Sequence, residues 1–374
     1  MTDDGSKIVP LAEVYAFVVR CMGVVGINED DAGALADLLV SADYRGHYSH
    51  GLNRLYIYIQ DVKSGTTASN AKPEIVKETI ATALVDGNNV LGPIVGRFCI
   101  DLAIKKAKDA GIGWVSARNS NHFGIAGWYG LRAVDSGMIG MAFTNASPLL
   151  VPTRATKAVF GTNPICVAAP AKDGDSFVLD MATTVVAYGK VEMAHRKGEM
   201  IPPGWGMDAS GKETQDPGEC QCLFPLGGTE RTSGYKGYGL SMMVELFCGI
   251  LSGSHYGSNN RIWKDAQEKA DLGQCYVAID PAAFEPGFAD RLSDLMNMCR
   301  TLEPAEGETE VLVAGDPERQ HMAKCDKQGG ILYHPNVIKY AVRHQPNCPQ
   351  LNHYLTFIFM WNHVLHQAGV ILKT

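Results

Sequence analysis

The sequence predicts an α/β protein in which a helical part is drawn from both ends of the chain. Three observations carry this. Helix-period apolar stripes fill the first sixty residues, short apolar runs alternate with helices from about residue 80, and helical stripes return after residue 235. No repeat of fixed period and no long low-complexity tract competes with that reading.

In chain order, Leu11, Val14, Val18 and Met22 recur at three- and four-residue spacing, which predicts a first helix. Asn28 caps a second, whose first turn carries Glu29, Asp30 and Asp31 and which runs through Leu35, Leu38, Leu39 and Ala42 to Gly46. A third starts at Ser49, turns Leu52, Leu55, Ile59 and Val62 inward and stops at Gly65. Residues 81–85 read as a strand. Pro93 opens a helix that closes at Gly111. Strands follow at 112–117 and 138–144, separated by a helix from Ile125 to Ser136 that Gly137 ends, and two more lie at 165–169 and 177–181. Residues 197–235 are rich in Gly, Pro and polar side chains and read as a long loop region. Leu240, Met243, Val244, Phe247 and Leu251 then form one stripe ending near Gly253, and Leu292, Leu295, Cys299 and Leu302 form another.

The chain has 374 residues, 46% of them hydrophobic and 20% charged, which suits a globular protein with a substantial core. Lys plus Arg number 33 against 40 Asp plus Glu, a net charge of −7 with no basic block. That balance argues against a nucleic-acid backbone as the main partner. The ten cysteines are scattered, and the acidic start Met1-Thr2-Asp3-Asp4 precedes no apolar signal-like run. Reduced thiols in the cytoplasm are therefore expected. Between Arg343 and Lys373 there is no Lys, Arg, Asp or Glu, and 354–361 is densely aromatic. Asn362, His363, His366 and Gln367 interrupt that run, so no membrane anchor is expected there.

Two nucleotide motifs fail. Gly234, Gly237 and Gly239 have the wrong order for a Gly-x-Gly-x-x-Gly turn and open a helix from a loop, so a standard Rossmann site is not supported. The segment Gly206 to Lys212 approaches a phosphate loop, but Glu213 stands where a Ser or Thr hydroxyl is needed. Other clusters are more suggestive. On the third helix Ser49, His50 and Arg54 share a turn, pairing an imidazole that titrates near neutrality with a guanidinium that grips carboxylates by two donors. An ordinary capped surface helix would look the same. His47 lies three residues before His50, but no acid or cysteine completes a metal set. Asn119 to Gly124, with His122, sits in the loop leaving a strand, where α/β proteins place ligands and where plain turns also occur. Lys236 between two glycines at a helix start is either a phosphate contact or a solvated lysine.

Taken in order along the chain, these segments resemble the malate/L-lactate dehydrogenase family. The resemblance rests on Ser49-His50-Gly51 with Arg54, Asp86-Gly87-Asn88, Ser120 to Gly124, Thr144-Asn145, Gly161 to Pro164, Leu179 to Thr183 and Gly234 to Gly237, and runs from about Val9 to Tyr340. It implies a non-Rossmann NAD(P)-binding α/β domain with a mixed sheet, plus a helical domain formed from both chain ends. Residues 8–75 and 236–340 would make the helical domain and return strand, 76–235 the nucleotide domain, and 341–374 a divergent uncharged tail. It also implies an oxidoreductase moving a hydride between NAD, or NADP, and a small 2-hydroxy or 2-keto acid such as malate, lactate or sulfolactate. The protein would be a homodimer.

By the same resemblance His50 is the acid/base, oriented by Ser49, with His122 across the site as its rival for that role. Arg54 binds the substrate carboxylate. His122, Ser147, Asn163, Asp180, Met181, Ala182, Lys236, Gly315 and Asp316 match positions around the nucleotide. No basic pair stands just after Thr184 to meet a 2′-phosphate, which tilts the expectation to NAD. A catalytically silent nucleotide-binding relative, acting through protein contacts, is the alternative, and a metal hydrolase using His47, His50 and His122 ranks last. One segment departs from the family pattern: Thr153-Arg154-Ala155 replaces the usual Trp-Gly-Gly after Pro152.

Overall fold

The computed structural model describes residues 5–262 and 268–343. The chain begins with strand β1 (Lys7–Val9) and helices α1 (Leu11–Val24), α2 (Glu29–Tyr44) and α3 (Leu55–Lys63). Strands β2 (Glu74–Glu78) and β3 (Thr82–Asp86) lead to α4 (Gly92–Ala110), β4 (Ile112–Ser120), α5 (Gly127–Val134) and β5 (Ile139–Thr144). Then come β6 (Ile165–Pro170), β7 (Ser176–Met181), α6 (Tyr188–Lys197) and the short β8 (Gly206–Met207), β9 (Glu213–Thr214) and β10 (Cys222–Leu223). The remainder is α7 (Gly234–Glu245), β11 (Leu272–Ile279), α8 (Phe288–Arg300), α9 (Asp316–Gln328), β12 (Ile331–Tyr333) and α10 (Pro335–Arg343).

The main sheet has seven strands in the order β2-β3-β4-β11-β5-β6-β7. Only the β3–β4 pair within it is parallel; the other neighbours are antiparallel, so the sheet is mixed. Its central strand, β11, arrives from far down the chain and joins β4 to β5 with Tyr276 opposite both Val115 and Ala142. One apolar core runs from Val18, Leu35 and Leu39 on the N-terminal helices to Val85, Val115 and Tyr276 on the sheet. Strand β1 pairs with β12, tying the start of the chain to its later helices.

The N-terminal helices follow their stripes. Asn28 accepts the Asp31 N–H at 3.0 Å, as a cap should. Several other expectations need correction. Helix α3 does not start at Ser49: residues 49–51 form a turn, Leu52–Arg54 a single 3-10 turn, and the α-helix begins at Leu55. Ser49 is therefore no helix cap. Strand β4 runs on to Ser120, three residues past the expected end. The 197–235 region holds a small three-stranded sheet in the order β10-β8-β9. After α7 the helix widens into a π turn over Leu246–Ile250. One extra residue per turn rotates the following side chains, so Leu251 is 55% exposed rather than inward. On α8 Met296 is the buried residue, and Leu295 and the following Leu302 face outward. The tail expected from 341 onward lies outside the described residues beyond 343. Among the described residues no helix is long and apolar enough to cross a membrane.

Candidate active site

The turn between α2 and α3 meets the loop leaving β4, and a cavity of about 300 Å³ lies between them. His50 and Arg54 come from the first segment and His122 from the second, and all three line the cavity. The rings of His50 and His122 are stacked, with centroids 5.9 Å apart and planes 16° from parallel.

Each ring is oriented through Nδ1. Ser49 Oγ lies 2.9 Å from His50 Nδ1. Tyr58, one turn beyond Arg54 on α3, places its hydroxyl 2.7 Å from His122 Nδ1, and the Gly124 N–H also points at that nitrogen at 3.3 Å. The His122 loop is itself bolted to the sheet. Gln274 Nε2 donates to Asn121 O at 2.9 Å while its Oε1 accepts from Ser120 and Tyr276, both at 2.8 Å. Asn121 Nδ2 donates to Val90 O at 2.8 Å. Helix α4 packs so closely here that a Cβ on Gly92 would come within 2.2 Å of His122 O, so only glycine fits.

Burial, with Arg54 and His47 adding repulsion, pulls His50 down to about 3. Burial, followed by His50, Arg54 and Arg261, holds His122 well below the ordinary histidine value. Both rings are thus neutral in the free site at physiological pH. Two stacked imidazoles beside a guanidinium cannot both carry charge, so the pair titrates as a unit.

Arg54 is 8% exposed; its Nε donates to Ser49 O at 2.6 Å and its Nη1 to Glu192 at 3.2 Å. Glu192, Tyr188 and Gly189 belong to α6, whose first turns wall the cavity. A second arginine, Arg261, lines the cavity and is ion-paired with buried Asp61 at 2.9 Å. The rest of the wall is largely apolar, from Ala146, Pro148, Leu149, Ile262, Ala270 and Leu272.

Of the other expected residues only Ser147 lines this cavity; its Oγ donates to Arg261 O at 2.7 Å. Asn163 lies behind the wall, fully buried, donating to Glu245 at 3.0 Å and to Ser241 O. Lys236 is exposed on α7 over the ring of Tyr235. The remaining positions gather elsewhere. A second cavity, about 710 Å³, is lined by Arg45, His47, Ser49, Lys190, Glu318 and His321, among others. Asp180 accepts from the Gly127 N–H at 2.7 Å and interacts electrostatically with His47, Glu318 and Arg45 of that lining. Met181 and Ala182 follow it in sequence. Gly315 and Asp316 directly precede Pro317 and Glu318, which line the same cavity. Asp316 is ion-paired with Arg300 and Arg319, whose hydrogen bonds overcome burial and hold its carboxyl far below the usual range. His50 and Gly189 line the first cavity and their sequence neighbours Ser49 and Lys190 the second.

A two-chambered site of this kind fits a dinucleotide better than a metal. The first chamber has a largely apolar wall and neutral rings, suited to a flat heterocycle beside a small acid. The second carries Arg45 and Lys190, basic side chains suited to phosphate, alongside Glu199 and Glu318. Among the described residues no group of three or more His, Cys, Asp or Glu could hold a metal ion.

Tyr58, Tyr188, Glu192 and Arg261 were not singled out by the sequence. Tyr58 had a signal, since it lies four residues after Arg54 on one helical face. Arg261 had none, being brought in by a loop between distant elements.

A mixed α/β scaffold that brings two imidazoles and a buried arginine to one cavity agrees with a class that comparison with known proteins shows: dehydrogenases of 2-hydroxy acids that use a nicotinamide nucleotide. Residues 9–340 match the family described as malate/L-lactate dehydrogenase, and the chain belongs to it. It is 44% identical over 301 residues to a malate dehydrogenase of Pyrococcus horikoshii, covering 79% of this chain and 82% of that one. To an L-sulfolactate dehydrogenase of Methanocaldococcus jannaschii it is 39% identical, covering 82% of this chain and 88% of the other. The solved malate dehydrogenase of Pyrococcus horikoshii OT3 superposes with a TM-score of 0.83 at 36% identity, over 92% of this chain and 97% of that one. A catalytically silent relative is not favoured.

Proposed function

We propose that the protein interconverts malate, or a close analogue such as lactate or sulfolactate, with its 2-keto acid, using NAD in preference to NADP. The observation that carries this is the stacked His50–His122 pair facing the same cavity as Arg54. Arg54 takes the substrate carboxylate on its two terminal nitrogens, displacing or sharing Glu192, while Ser49 O keeps Nε in place. The histidine pair carries the proton of the C2 oxygen: it donates in keto-acid reduction and accepts in hydroxy-acid oxidation. A bound nicotinamide supplies or accepts the hydride at C2. Substrate charge has a further effect. A carboxylate on Arg54 offsets the guanidinium's share of the repulsion on both imidazoles and raises their proton affinity, while burial, the larger cause, still lowers it.

Asp180, which interacts electrostatically with Arg45, His47 and Glu318 of the second cavity, with Met181 and Ala182 after it, and Gly315 and Asp316, which precede the lining residues Pro317 and Glu318, would support the far half of the dinucleotide. Asn163 would act by holding the wall behind Thr162. The preference for NAD is supported by the lack of a basic pair just after Thr184, where Val185 to Gly189 carry no charge. The test is a panel of 2-keto acids with NADH and NADPH, comparing kcat/KM. Oxaloacetate with NADH is expected to turn over best or close to it. No oxidation of either nucleotide with any acid would end this reading.

A homodimer is supported by an exposed apolar stripe on α7 and its π turn: Tyr235, Met242, Leu246 and Ile250 are each more than half exposed. Replacing Met242 and Leu246 together by Asp is expected to give monomers in sedimentation velocity at micromolar concentration. An unchanged sedimentation coefficient would move the interface elsewhere. A cytoplasmic location is supported by the thiols of Cys99, Cys166, Cys248 and Cys275, all buried.

A further inference from the structure

The turn that presents His50 and Arg54 rests on a carboxyl group that the chemistry above does not use. Asp43, in the last turn of α2, is 1% exposed. Its Oδ2 accepts from the Leu52 N–H at 2.8 Å and from the Tyr333 hydroxyl at 2.6 Å. Its Oδ1 has no hydrogen-bond partner. That oxygen lies flat against Gly51: a Cβ there would come within 1.8 Å of it, so no other residue can stand between His50 and Leu52. Tyr333 comes from β12, almost three hundred residues later, and its ring meets Tyr48 edge-on at 6.2 Å. Tyr48 in turn lies 3.2 Å from His321 Nε2.

A buried carboxyl with one orphaned oxygen is an expensive way to fill space, and an apolar side chain of similar volume would serve a core better. What the carboxyl does that no apolar group can is hold one backbone N–H of the turn and one hydroxyl from the distant strand on a single atom. We propose that Asp43 is a positioning residue for the catalytic turn, with Tyr333 as its anchor from the late part of the chain. This rests on the reading of His50 and Arg54 given above. Because Leu52 lies between them, a shift of its N–H displaces both at once. Displacements of about 1 Å from a near-attack arrangement can cost about a hundredfold in rate.

The test uses the full-length chain with oxaloacetate and NADH, comparing Asp43→Ala, Asp43→Asn and Tyr333→Phe. Asn keeps an oxygen for both donors, whereas Ala removes it. Asp43→Ala is expected to lower kcat about tenfold or more and to raise KM for the keto acid, leaving KM for NADH within about twofold. Asp43→Asn should recover most of that loss, and Tyr333→Phe should fall between. If Asp43→Ala does not fold, the other two variants decide. Lowered melting temperatures with wild-type kcat and keto-acid KM in both would show a merely structural role and overturn the proposal. An inactive wild-type chain would instead refute the proposed reaction, which keeps the two failures apart.

Discussion

Asn in place of His50 or of His122 is expected to cut kcat for keto-acid reduction by about 10²–10⁴ for the ring that carries the proton. The other ring should cost at least about tenfold, because it shapes its partner's proton affinity at a ring separation of 5.9 Å. The double variant should be little worse than the more damaging single one, since the two act as a unit. The ring whose loss also removes the fall of kcat towards alkaline pH in keto-acid reduction is the carrier. Both single variants within about threefold of wild type would take the pair out of the chemistry.

The same depressed proton affinity makes a stability prediction of fixed sign. An imidazole in the unfolded chain charges below about pH 6.5, while His50 in the fold resists protonation down to about 3. Between those values the unfolded state binds more protons, so stability falls as pH falls. His50→Asn should therefore flatten the fall in melting temperature from pH 6.5 downwards. A slope unchanged from wild type would mean that the ring is charged in the fold.

What the sequence could and could not disclose follows from the range of the forces involved. The N-terminal helices were legible because their period, the Asn28 cap and the acidic first turn are all local. So were the strands 165–169 and 177–181, which pair as neighbours. β11 escaped placement from the sequence, beyond the return strand expected somewhere in 236–340, although it is the central strand, because its position depends on β4 and β5 more than a hundred residues earlier. Its Gly273-Gln274 start lacks strand character until Ser120 and Asn121 supply partners for the amide. β2 escaped for the opposite reason: all five of its residues are exposed, so no buried face marks it. In the site, His50, Arg54 and His122 stood out by side-chain chemistry. Their meeting in one cavity depends on the β4 loop folding back over the α2–α3 turn, which no window of sequence contains. Local pattern read Ser49 as the start of a helix, whereas its hydroxyl faces His50, a placement that only the family resemblance implied.

Lys in place of Arg54 is expected to raise KM for the keto acid about tenfold to a hundredfold, with a smaller fall in kcat. The argument is geometric. Arg54 spends Nε on Ser49 O and presents its terminal nitrogens to the cavity, where Glu192 already contacts Nη1. Lysine offers one ammonium at the end of a flexible stem, so it cannot hold Ser49 O and a carboxylate in a fixed fork together. Losing one charge-assisted hydrogen bond of the pair corresponds to about 1.5–3 kcal/mol. The lysine charge would be drawn to Glu192, which lies on α6 and can follow it. Hence Arg54→Lys combined with Glu192→Gln should recover part of the lost affinity, while KM for NADH stays near wild type in both. A keto-acid KM unchanged by Arg54→Lys would remove Arg54 from carboxylate binding and shift that role to Arg261, the other arginine lining the cavity.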